Sequence, residues 1–89
     1  MKLHVLKIEN NYYVAVMQGR KRAELRKDDR DFKEGDLIHF TTIKGSEYEG
    51  QFNLFIITHI LPCRNIFDDK TDYVVLSIEA YNPNDFRRY

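Results

Sequence analysis

The sequence predicts an α+β domain in which β dominates, a small closed or nearly closed barrel of about five or six short strands with one helix in its first half. Three observations carry this. Apolar or alternating runs recur at 4–8, 20–27, 37–43, 52–61 and 73–78, as short strands do. Only residues 9–19 show helical spacing. The connections look too short for parallel crossovers.

Each element has a local reason. HVLKI, residues 4–8, alternates as a first strand. In ENNYYVAVMQG, Tyr13, Val16 and Met17 form a stripe at i, i+3 and i+4, Asn10 or Asn11 is the expected N-cap, and Gly19 suits the position after the helix end. Arg20 to Lys27 reads as a strand with Ala23 and Leu25 on one face and Arg22, Glu24 and Arg26 on the other. DDRDF and KEGD are turns, with Gly35 available for a positive φ. Leu37 to Ile43 forms a further strand, followed by a polar hairpin-type loop, KGSEYEGQ.

Phe52 to Leu61 is apolar on both faces and is expected to be the central strand, ended by Pro62. The expected core is Val16, Leu25, Leu54, Ile56, Ile60 and Val75. YVVLSI, residues 73–78, closes the sheet. Residues 1–89 form one domain with its core at 3–79, and 80–89 is a polar tail.

Composition narrows the function classes. A chain of 89 residues, 43% hydrophobic with six Tyr and six Phe, can fold but has little core to spare. One cysteine, Cys63, cannot form an internal disulfide. No run is long and apolar enough to span a membrane, and no signal peptide is visible, so a cytoplasmic monomer is the default expectation. His4, His39 and His59 each stand alone on a predicted strand, with no ligand-like spacing, so neither a metal nor a cofactor is expected.

Net charge is zero, yet its distribution is uneven. Gly19 to Lys33 carries seven Lys/Arg against Glu24, Asp28, Asp29 and Asp31, a local +3. Phe67 to Glu79 carries Asp68, Asp69, Asp72 and Glu79 against Lys70, a local −3. The alternating charges of the first run have two readings. Either they form a solvated outer face, or they line a cleft in which a carboxylate orients flanking cations that grip phosphate.

The run GRKRAELRKDDRDFKEGD resembles the signature of the ASCH superfamily, Gly-x-Lys-x-x-Glu-x-Arg followed by a Gly-Asp turn. It is matched by Gly19, Lys21, Glu24, Arg26, Gly35 and Asp36. With HVLKI before it and YVVLSI after it, the chain from about Leu3 to Glu79 resembles a bacterial and phage ASCH-like family of unknown function. The resemblance implies a PUA-like barrel and an RNA or nucleotide-like ligand in a cleft lined by Lys21, Glu24 and Arg26. To these the residues themselves add Arg22, on the same predicted face, Arg30 in the turn, and Tyr12 as a stacking platform.

One branch of the superfamily is enzymatic. It comprises amidohydrolases that remove the acetyl group from acetylated cytidine. That branch keeps the lysine but has threonine at the position of Glu24 and a further glutamate that CRNIFDDKTD does not supply, so in this chain a Lys21–Glu24 pair would have to activate water instead. A small regulatory or protein-interaction domain is the third reading.

Overall fold

The computed structural model describes residues 1–42, 48, 50–66 and 70–83. The elements in order are β1 (Leu3–Lys7), α1 (Asn10–Met17), β2 (Ala23–Lys27), β3 (Leu37–Thr41), β4 (Phe55–Pro62), a 3-10 turn at Cys63–Asn65, and β5 (Tyr73–Ala80). The five strands form one sheet in the order β1-β3-β4-β5-β2, curled into a half-barrel. Among the described residues no helix is long and apolar enough to cross a membrane.

The core follows the alternation of the strands. Leu6, Ile38, Phe40, Ile57 and Leu76 are the largest fully buried side chains, and Tyr13 and Val16 dock the helix on them. Burying each of the large aliphatic ones contributes roughly 1.5–3 kcal/mol. The helix ends where Gly19 takes φ +77°, a conformation that costs glycine little. Its N-cap is Glu9, one residue before the asparagines expected there, and Glu9 makes no side-chain capping bond.

Two features of the sheet depart from the sequence reading. β1 and β3 pair in parallel, because the helix and β2 together supply the long crossover that short connections seemed to exclude. β4 is central as expected, yet it starts at Phe55, and Phe52 is 68% exposed. Phe55 and Ile57 join the core and Ile56 is buried outside that cluster, and a register shift between Ile57 and His59 then brings Ile60 opposite the buried Leu76. Leu54, just before the strand, is half-buried, as is Ile60, which packs against the core. Pro62 is the last residue of the strand, opposite Val74, as expected.

β3 and β4 pair only at Leu37 with Ile56 and Ile38 with Phe55. Beyond them the buried Asn53 amide replaces the ladder. Its Oδ1 accepts from Phe40 N at 2.7 Å, and its Nδ2 donates to Phe40 O at 3.2 Å. Nδ2 also donates to Tyr13 Oη at 3.2 Å, locking the helix to this corner. Burial raises the Tyr13 pKa above the ordinary phenol value, opposed by this hydrogen bond.

Candidate functional site

β2 inverts the expected arrangement of its faces. Glu24 is only 7% exposed and faces inward, whereas Leu25 is 58% exposed. Leu25 lies opposite Val75, which in turn lies opposite Leu61, so a half-covered apolar row crosses the outer face of three strands. Leu25 and Val75 therefore leave the expected core. The inversion is possible because Glu24 meets its cations inside. Lys21 Nζ donates to Glu24 Oε1, and Arg26 Nε donates to Oε2 at 2.8 Å. Their side chains are 22% and 23% exposed, so the cluster lies at the rim of the interior.

The cluster also closes the sheet. Leu37 N donates to Lys2 O and Ile8 N to Thr41 O, so the even-numbered residues of β1 bond β3. By ladder geometry Leu3, Val5 and Lys7 then present their backbone groups to the free edge. Arg26 Nη2 donates to Lys7 O, and Arg30 Nη1 to Val5 O at 3.1 Å. On the facing edge Lys21 Nζ donates to Ala23 O. Three cations of the charged run thus cap carbonyls on the two unpaired edges and span the seam of the half-barrel. Bare edges invite pairing with other chains, and these charges blunt them.

Beside the seam lies a cleft of about 320 Å³, lined by Lys7, Ile8, Glu9, Tyr12, Glu24, Leu25, Arg26, Lys27 and Tyr73. The Tyr12 ring, 48% exposed, lies 6.0 Å from Lys21 Nζ, the outer reach of a cation–π contact. Of the six expected ligand contacts, Tyr12, Glu24 and Arg26 line this cleft, and Lys21 reaches Glu24 from a separate pocket of about 340 Å³ that it lines with Arg22. Arg22 lies outside the cleft. It precedes the strand, is exposed, and bonds Gly19 O at 3.2 Å through Nε. Arg30 lies along the seam on Val5 O, away from the cleft lining.

The largest cavity among the described residues, about 440 Å³, lies beside the cleft of Glu24 and Arg26. It is lined by Asp28, Ile60, Pro62, Arg64, Asn65, Thr71, Asp72, Tyr73 and Val74. Tyr73, which lines both spaces, was missed by sequence reasoning. Its place at the head of an apolar strand disguised it as a sheet residue. Asp68 and Asp69 lie outside the described residues, as do most of KGSEYEGQ and residues 84–89. Among the described residues no group of three or more His, Cys, Asp or Glu side chains is arranged to hold a metal.

The Gly-Asp turn of the charged run has a different task. Asp36 is 4% exposed and accepts from His4 Nε2 at 2.8 Å, Lys2 N at 3.0 Å and Lys33 N at 3.1 Å. Burial alone would raise its pKa, but these bonds outweigh it and hold the carboxyl below the usual range. An ionised carboxylate only accepts, so His4 Nε2 is the donor. The His4 ring also packs on Phe32 at 4.7 Å. Both motif residues of this turn are therefore structural: Gly35 takes φ +92°, and Asp36 ties the turn to the start of β1.

Comparison with known proteins agrees with the extent of this fold. A family model, DUF3850, described as a domain of unknown function, matches residues 3–78. The chain belongs to that family. This DUF3850 domain is 43% identical over 37 residues to an "Uncharacterized 12.9 kDa protein in GpA 3'region" of Escherichia phage P2. That match covers 42% of the chain and 34% of the phage protein, so it spans about a third of the relative's length. The DUF3850 domain also superposes on the crystal structure of hypothetical protein PH0355 with a TM-score of 0.60. The two are 20% identical over 91% of this chain and 100% of the other, a likeness of fold alone.

Proposed function

We propose that this domain is a binding module for RNA or a nucleotide-like ligand, with the seam cleft as its site. The observation that carries the reading is the clamp on Glu24. Lys21 and Arg26 are held in fixed orientation by one buried carboxylate and still have donors to spare. Lys21 Nζ uses two of its three N–H groups on Glu24 and Ala23 O. Arg26 is engaged through Nε and Nη2, and among the described residues its Nη1 has no protein partner. A preorganised cation pair beside an exposed tyrosine suits a phosphate next to a stacked base. The ASCH-like pattern of Lys21, Glu24 and Arg26 supports the same reading and, with it, a PUA-like ancestry for the half-barrel.

Amidohydrolase chemistry is the weaker reading on this geometry. Activating water needs a base with a free lone pair, whereas both Glu24 oxygens already accept from cations and Lys21 Nζ is engaged as a donor to Glu24 and Ala23 O. The test is fluorescence anisotropy with labelled single-stranded RNA across a salt series. Wild-type affinity is expected to fall with salt, and Lys21→Ala to weaken binding and flatten the slope by about one unit. Absence of binding to RNA and mononucleotides alike would sink the proposal. Turnover of acetylated cytidine by the wild-type protein would reverse the ranking of the two readings.

A further inference from the structure

The seam cleft and the largest cavity are neighbours, since Tyr73 lines both and Lys27, in the cleft, precedes Asp28 in the cavity. Tyr73 is 47% exposed, close to the 48% of Tyr12 in the same cleft. Lys27 stands opposite Tyr73 across the β2–β5 ladder. Two half-exposed aromatic rings therefore line one cleft, with Lys7, Arg26 and Lys27 against Glu9 and Glu24 around them.

The adjoining cavity differs in chemistry. It offers apolar walls at Ile60, Pro62 and Val74 and hydrogen-bonding groups at Asn65, Thr71 and Asp72. Its one arginine, Arg64, already pairs with Asp72 at 3.3 Å. With Asp28 also present the lining is net negative, so it disfavours a phosphate and suits the flat face and amine-bearing edge of a base. A cationic stretch with aromatic platforms leading to a polar space with acidic acceptors matches the phosphates and amine-bearing base edges of a nucleic-acid single strand.

We infer that the ligand is a single-stranded RNA chain rather than a free nucleotide, threaded from the seam cleft past Tyr73 into the second cavity. This rests on the reading of the seam cleft as a nucleotide site. One base stacks at Tyr12, Arg26 and Lys27 meet the intervening phosphates, and Tyr73 stacks a second base at the entrance to the cavity.

The experiment compares oligoadenylate of about eight nucleotides with adenosine monophosphate on the wild type, Tyr73→Ala and Tyr73→Phe. Wild type is expected to bind the oligomer more tightly than the monomer. Tyr73→Ala should weaken the oligomer by about 5- to 150-fold, weaken the monophosphate by clearly less, and keep the wild-type melting temperature. Tyr73→Phe should match the wild type, because stacking needs the ring and not the hydroxyl. Oligomer affinity unchanged in Tyr73→Ala, or equal losses for both ligands, would overturn the extended track while leaving the cleft reading intact. Wild-type binding of the monophosphate but no tighter binding of the oligomer would do the same. Binding of neither ligand by the wild type would remove both.

Discussion

Asp36 and Glu24 are both buried carboxylates in one charged run, exposed by 4% and 7%, and they are held in opposite ways. Asp36 takes two backbone amides and an imidazole, all belonging to the frame at the start of β1 and the turn before β3. Glu24 takes two long side chains that remain about a fifth exposed and whose other donors reach strand-edge carbonyls. A backbone amide has one N–H and spends it on Asp36, whereas the two cations on Glu24 keep further donors for a ligand. The first arrangement serves stability, and the second combines stability with a surface that can bind.

The comparison breaks first at Asp36. Asp36→Ala strands a buried imidazole and two amides, so chemical denaturation should show a loss of about 3–5 kcal/mol. The depressed pKa adds a direction with pH. A carboxyl whose folded pKa lies below its unfolded value of 3.8 contributes stability that is present above that value. That contribution is lost as pH falls through the lower folded pKa, and an acid titration of Asp36→Ala should lack it. A variant as stable as the wild type at neutral pH would contradict the structural role of the turn.

A smaller effect is expected at the other carboxylate. Glu24→Gln keeps the shape but removes the charge from two bonds to partly exposed cations, with an expected cost of about 1–2 kcal/mol. The same variant should alter RNA affinity at constant fold, since it frees Lys21 and Arg26 from their common anchor. If Glu24→Gln proved as damaging as Asp36→Ala, the two sites would not differ as described. The smallest change is at Leu25, where alanine should lower the unfolding free energy in chemical denaturation by no more than about 0.5 kcal/mol. A loss of the 2–5 kcal/mol typical of a core leucine would mean that β2 faces the other way.

That last residue shows where the sequence could be read and where it could not. Alternation located a strand ending at Lys27, the helix and its glycine stop, and a central strand around Ile56. These depend on neighbours in sequence. The same alternation placed Leu25 inside and left Glu24 with an unresolved face, because polarity assigns faces only when each residue acts alone. The acceptor of Arg26 is a carbonyl on β1, 19 residues away, and no local pattern announces it.

The amino-acid sequence by itself determined the element types, the dominance of β, and the concentration of Lys21, Glu24 and Arg26 within one short stretch. Those follow from side-chain period and turn chemistry, which operate over a few residues. Only the tertiary structure decided that β1 and β3 run parallel, that Glu24 points inward, and that the edges of β1 and β2 face one another across a cationic seam. The bulge in β4 and the meeting of Tyr12 with Tyr73 in one cleft belong to the same class. Each depends on partners far apart in the chain, brought together when the sheet curls, and pairing across that distance leaves no periodic trace in the residues that make it.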